Sequence, residues 1–115
     1  MIFRRSSIAP LEVEAVHDGT GSLVCLDMLR GHTNEGHGFR FVRDNVLEPG
    51  AIIGEQMHHG DEEIYFILDG NGTMIEDGDE HEVSAGDLSL VQSGHSHGMR
   101  NSPDSHMRFL VIGVA

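Results

Sequence analysis

Four side chains in two short segments have the types and spacing of a metal site. Gln56, His58 and Glu63 lie in PGAIIGEQMHHGDEEIYFILDG (49–70), and His97 lies in GDLSLVQSGHSHGMRN (86–101). Imidazole nitrogen and carboxylate oxygen suit divalent zinc, iron, manganese, nickel or cobalt. Gln56 and His58 are two apart, so they share one face of a strand. Glu63 follows a short polar corner, at the start of the apolar run IYFIL. His97 follows a glycine-rich corner far downstream. Taken singly, each has a plainer reading as a solvated side chain, and Glu63 sits in an acidic run (Asp61, Glu62, Glu63). Their joint placement is what points to a metal.

Other groups stand near this set. His59 neighbours His58 but points to the opposite face, so it reads as outward. His95 shares strand parity with His97 and is a tentative acid–base residue, with a solvated corner as the alternative. Tyr65 lies two residues after Glu63 and is expected to face the same interior. There it is either a core aromatic or a phenol able to donate to a substrate. Arg40 and Arg43 lie on opposite faces of GFRFVRDN. One of them could point inward and hold a substrate carboxylate through its fork, against the alternative of two solvent-facing arginines. Met99 has the parity of His97 and could line the pocket, although core filler is the default for methionine. His17, His32, His37, His81 and His106 show no ligand spacing and read as surface.

The elements that must position these groups are strands. No stretch sustains a 3.6-residue apolar period, and short β-branched or aromatic runs recur between Gly, Asp and Asn. Strands are expected near 11–17, 22–30, 38–46, 51–58, 63–68, 72–76, 80–84, 87–91, 97–101 and 107–114. DGNG at 69–72 and EDGDE at 76–80 read as tight hairpins, with corners at SAGD (84–87) and QSGH (92–95). This pattern predicts an all-β closed antiparallel barrel or jelly roll. HTNEGHG (32–38) is the loosest stretch, either a plain connection or a mobile lid.

Bulk composition bounds the rest. A chain of 115 residues reads as one domain, 1–115, with N-terminal strands over 1–35 and the barrel over 36–115. The net charge of −12, from 19 acids against 7 bases, argues against nucleic acid or an anionic membrane as partner. All seven bases are Arg, which excludes lysine Schiff-base chemistry. The single cysteine, Cys25, excludes an internal disulfide and reads as a buried small hydrophobe. No window approaches a membrane span, and the N-terminus has no long apolar signal region, so a cytoplasmic location is expected. Edge strands are a liability in a small barrel. A homodimer is therefore expected, with 11–17 and 22–30 covering the partner sheet.

The two segments resemble the cupin motifs. Gly50, Gln56, His58, Glu63 and Gly70 match G-x5-H-x-H-x4-E-x6-G at every spacing. Gly86, Gly94, His97 and Asn101 match G-x5-P-x-G-x2-H-x3-N, and 15 residues separate the motifs. Two positions depart: Gln56 stands for the first motif histidine and Gln92 for the motif proline. The resemblance implies a double-stranded β-helix with one divalent metal at its centre, held by Gln56, His58, Glu63 and His97. Similar Gln-His-Glu-His sets occur in the zinc-containing type I phosphomannose isomerases. Small cupins of this type, oxalate decarboxylase-like by label, imply a metalloenzyme acting on a small oxygen-rich organic acid or enediol. Decarboxylation, dioxygenation, lyase and isomerase chemistry are all compatible. The alternatives are a small-molecule-binding or accessory cupin, with or without metal, and a barrel whose metal site has decayed.

Overall fold

The structure is a computed structural model that describes residues 1–29 and 38–114. Ten strands follow in chain order: β1 Leu11–Glu14, β2 Ser22–Leu29, β3 Phe39–Leu47, β4 Ile52–Met57, β5 Glu62–Asp69, β6 Asn71–Glu76, β7 Asp79–Ser84, β8 Leu88–Val91, β9 Ser96–Asn101 and β10 Met107–Val114. They form a six-stranded sheet, β1-β2-β3-β10-β5-β8, and a four-stranded sheet, β4-β9-β6-β7, with every pairing antiparallel. The expected jelly-roll architecture is what the chain adopts. Each expected strand is present, and the first is shortened. β1 stops at Glu14 because Ala15, His17 and Asp18 take left-handed backbone (φ 51°, 50° and 62°), which no strand tolerates. HTNEGHG lies outside the described residues except for Gly38.

Two-residue alternation fills the space between the sheets. On β10, Met107, Phe109 and Val111 point inward and are buried, and on β5 Tyr65 and Ile67 do the same. Leu23, Leu47, Ile53, Met74 and Met99 complete the packed interior. Met99 is thus core and does not line the cavity described below.

The two hairpin signals part company. EDGDE joins the paired strands β6 and β7, with Asp77 and Gly78 both at positive φ (49° and 84°), the signature of a type I′ turn. DGNG is not a hairpin. β5 and β6 belong to different sheets, so the chain changes layers at Gly70. Gly70 has φ 92°, and a Cβ there would lie 2.8 Å from the His106 carbonyl oxygen.

One irregularity matters for the site. Ile53 pairs with Met99 and Gln56 with His97, so three steps on β4 face two on β9. This is a β-bulge, and it reverses parity. Ile53 and His58 can therefore both point inward although they are an odd number of residues apart. At the same place β4 is crossed closely by the turn before β2. Thr20 and Ile52 exchange backbone hydrogen bonds of 2.9 and 2.8 Å. A Cβ on Gly54 would collide with the carbonyl oxygen of His17, and one on Gly19 with that of Ile52.

Candidate metal centre and cavity

His58, at the end of β4, His97 on β9 and Glu63 on β5 converge where the two sheets meet. The imidazoles are 97% and 96% covered, and the Nε2 atoms of His58 and His97 are 3.0 Å apart. Glu63 Oε2 lies 3.6 Å from His58 Nε2, and Oε1 lies 3.5 Å from His97 Nε2. Donors at about 2.1 Å from one ion stand about 3.0–3.4 Å apart in octahedral or tetrahedral arrangements. The three-residue cluster therefore fits a divalent transition metal in both donor type and spacing. Gln56 faces His97 directly across β4 and β9, two residues before His58.

Protonation at His58 follows from its neighbour. Asp61 Oδ2 lies 3.0 Å from Nδ1, and a carboxylate only accepts, so Nδ1–H donates and Nε2 keeps its lone pair for a metal. Arg40 Nη1 holds the same Asp61 oxygen at 2.8 Å. Burial works to raise the Asp61 pKa, but the hydrogen bond to His58, the Arg40 guanidinium and a hydrogen bond from the His59 backbone outweigh it and hold it low. His97 Nδ1 is buried without a hydrogen-bond partner.

A cavity of about 480 Å³ runs from Glu63 between the sheets. Its polar side is made by His17, Asp27, Arg43, Asn45, Glu63 and Tyr65. Val13, Val16, Leu23, Ile53 and Val111 make an apolar wall. Tyr65 stacks on Phe109 (5.2 Å between centroids) and meets the edge of His97 (4.8 Å). Burial, reinforced by the Glu63 carboxylate, pushes the phenol pKa well up, so Tyr65 stays protonated and can donate.

The sequence-derived candidates thus divide. His58, Glu63 and His97 come together, Gln56 stands beside them, and Tyr65 lines the cavity. His95 does not join them. Its side chain is 57% exposed on the outer surface, with Nδ1 2.7 Å from Asp77 Oδ2. The strand begins at Ser96, so the corner carries His95 away before parity can turn it inward. His59 is exposed, as expected. Of the two arginines, Arg43 faces the cavity and Arg40 pairs with Asp61.

Sequence reasoning missed three contributors. Asp61 read as part of a charged turn, His17 as surface, and Asn45 not at all. His17 lines the cavity because the left-handed turn folds it back over β4. Desolvation there lowers its pKa, and the nearby Glu63 opposes this only in part. The D-x-E run after His58 was the available signal for Asp61. His17 had none, since the strands it folds against are distant in sequence.

The cupin domain model matches residues 45–113. The chain belongs to the cupin family. Among characterised cupins, an oxalate-binding protein of Thermotoga maritima is 30% identical over 112 residues, covering 97% of this chain and 92% of the relative. The crystal structure of a predicted oxalate decarboxylase, also from T. maritima, superimposes with a TM-score of 0.92 at 29% identity, covering 99% of this cupin and 98% of that chain. The polyketide cyclase RemF of Streptomyces resistomycificus shares the fold alone (TM-score 0.77, 19% identity, 99% and 78% covered).

Proposed function

We propose that this cupin binds one divalent transition metal through His58, Glu63, His97 and Gln56, and presents it to a small oxygen-rich organic acid. The observation that carries the reading is the convergence of three buried donor groups to metal-ligand spacing. An ion held there would supply Lewis acidity to an oxygen ligand, which decarboxylase, lyase and isomerase chemistry draw on, and a redox-active ion would also serve dioxygenase chemistry. The chain's own residues do the rest. Asp61 fixes the His58 tautomer. Tyr65 donates a hydrogen bond to the bound acid. Arg43 supplies positive charge in a cavity otherwise dominated by acids, and the apolar wall keeps water sparse. Similarity to an oxalate-binding protein supports an acid as ligand. Binding without turnover is the second reading, and the placement of His95 outside the cavity favours it.

Two further parts of the reading concern assembly and location. The outward face of β8 carries Leu88 and Leu90, 56% and 49% exposed, beside Ile64 and Phe66 of β5. This apolar face supports a homodimer, and Leu11 of β1 and Val24 of β2 are exposed as well. A single buried thiol fits the reducing cytoplasm. Among the described residues no helix is long and apolar enough to cross a membrane.

Elemental analysis of protein purified without chelators tests the metal. We expect near-stoichiometric metal, lost in His58→Ala and reduced in Gln56→Ala. Metal unchanged in Gln56→Ala reduces the site to three ligands. No metal under any supplementation overturns the reading.

A further inference from the structure

We infer that the acid held in this cavity is a linear dicarboxylate longer than oxalate, with one carboxylate at the metal cluster and the other at Arg43 and Asn45. The inference rests on the metal-and-acid reading above and specifies its ligand.

Size is the first argument. At about 30 Å³ per water, 480 Å³ is room for about sixteen waters, and oxalate would leave most of it unfilled. The placement of polar groups is the second. Gly113 on β10 pairs with Phe41 on one side and Glu63 on the other, and Val111 likewise links Arg43 to Tyr65. Arg43 is therefore two residues along and two strands across from Glu63, about 12 Å between Cα positions by strand rise and spacing. Oxalate's carboxyl carbons share a single bond, and a longer dicarboxylate spans more of that separation.

The distal end is built to receive a carboxylate. The Arg43 guanidinium lies 4.0 Å over the Phe41 ring, and that ring occupies the space a side chain at position 113 would take. Stacking presents the fork edge-on. Asp27 Oδ1 lies 3.7 Å from the guanidinium Nε. Asn45, next inward on β3, is 94% buried and lines the cavity, and its Oδ1 has no hydrogen-bond partner. Its Nδ2 is the group that can donate to a carboxylate, since the unpaired Oδ1 only accepts. The apolar wall of Val13, Val16, Leu23, Ile53 and Val111 lies along the cavity and suits a methylene chain.

Calorimetric titration of manganese-loaded full-length protein with oxalate, glutarate and adipate tests this. Each buried methylene is worth about three- to fourfold in affinity. We expect the best of the longer acids to bind at least tenfold more tightly than oxalate. Arg43→Met should remove that advantage, costing the longer acids at least fivefold more than oxalate, while leaving manganese content within twofold of wild type. Asn45→Ala should weaken the longer acids three- to tenfold in the same selective way, and it carries the test if Arg43→Met does not fold. Oxalate as the tightest ligand, or equal losses for all three acids in the variants, overturns this inference and leaves the metal reading standing. Failure of the wild type to take up manganese or any other supplied metal overturns both.

Discussion

Asp61 does for His58 what no group among the described residues does for His97. One imidazole has its outer nitrogen tied to a carboxylate, and the other has an orphaned buried Nδ1. The His58 arm should therefore set the affinity of the site. Asp61→Ala is expected to weaken metal binding ten- to a hundredfold, read by competition with a chromophoric chelator, with little change in the melting temperature of the metal-free protein. Unchanged affinity would mean that Asp61 serves only the turn. Cys25 gives a second residue-scale expectation. It is 92% covered at the cavity wall, and burial raises its thiol pKa. Alkylation in the native state should be at least a hundredfold slower than in denaturant. The candidate ligand set His58, Glu63 and His97 was legible in the sequence because its spacings match the two cupin motifs. His17 and Asn45 were not, because their role depends on which distant elements the chain folds against.

At the scale of elements, the crossing of the 17–19 turn over β4 holds both the cavity rim and the strand that carries Gln56 and His58. Gly54→Ala would drive a methyl group into the His17 carbonyl oxygen, and the backbone would have to part. A loss of about 2–3 kcal/mol is expected in urea unfolding, with reduced metal content as the second readout. Gly94→Ala is the contrast. It has open space around its Cβ and suffers only from its φ of 89°, so about 1 kcal/mol is expected. The sequence announced nearly every strand here, since β-branched runs between glycines are unambiguous when no helical period competes. It could not announce partners. Turn chemistry at DGNG and at EDGDE is alike, yet one closes a hairpin and the other changes sheets, because Gly70 is chosen by the close passage of His106. The bulge before Gln56 was equally hidden. A two-residue period read straight through β4 cannot place both Ile53 and His58 inside.

Across the whole molecule, one ion cluster ties the N-terminal segment to the barrel. Asp44, 4% exposed on the outer face of the six-stranded sheet, accepts from Arg5 Nε at 2.8 Å, and from Arg108 Nε and Nη2 at 3.0 and 2.8 Å. The Arg108 hydrogen bonds, aided by Arg5 and opposed by burial, hold the Asp44 carboxyl below its ordinary pKa. A carboxyl with a depressed folded pKa adds stability that is fully present above the unfolded value of about 3.9, and loses it as pH falls through the folded value. Asp44→Asn should therefore cost about 1–2 kcal/mol at pH 7, discounted for the half-exposed arginines, and should flatten the acid limb of the stability curve below about pH 4. An unchanged acid limb would count against the cluster. Sedimentation tests the proposed dimer in turn, with the wild type expected to run as a dimer and Leu88→Glu/Leu90→Glu as a monomer.

The position of β10 has a consequence for how such a chain comes to exist. It is last of the ten strands in chain order, yet it lies in the middle of the larger sheet, between β3 and β5. Until it arrives, β3 and β5 each present an unsatisfied edge, and nothing joins the cavity's distal end to its metal end. Arg108, which secures Asp44 from 64 residues away, arrives with it. During synthesis the four-stranded sheet can therefore form before β10 arrives, but the six-stranded sheet stays split between β3 and β5. Folding waits for the final strand, and an unfinished chain is a pair of open templates for aggregation.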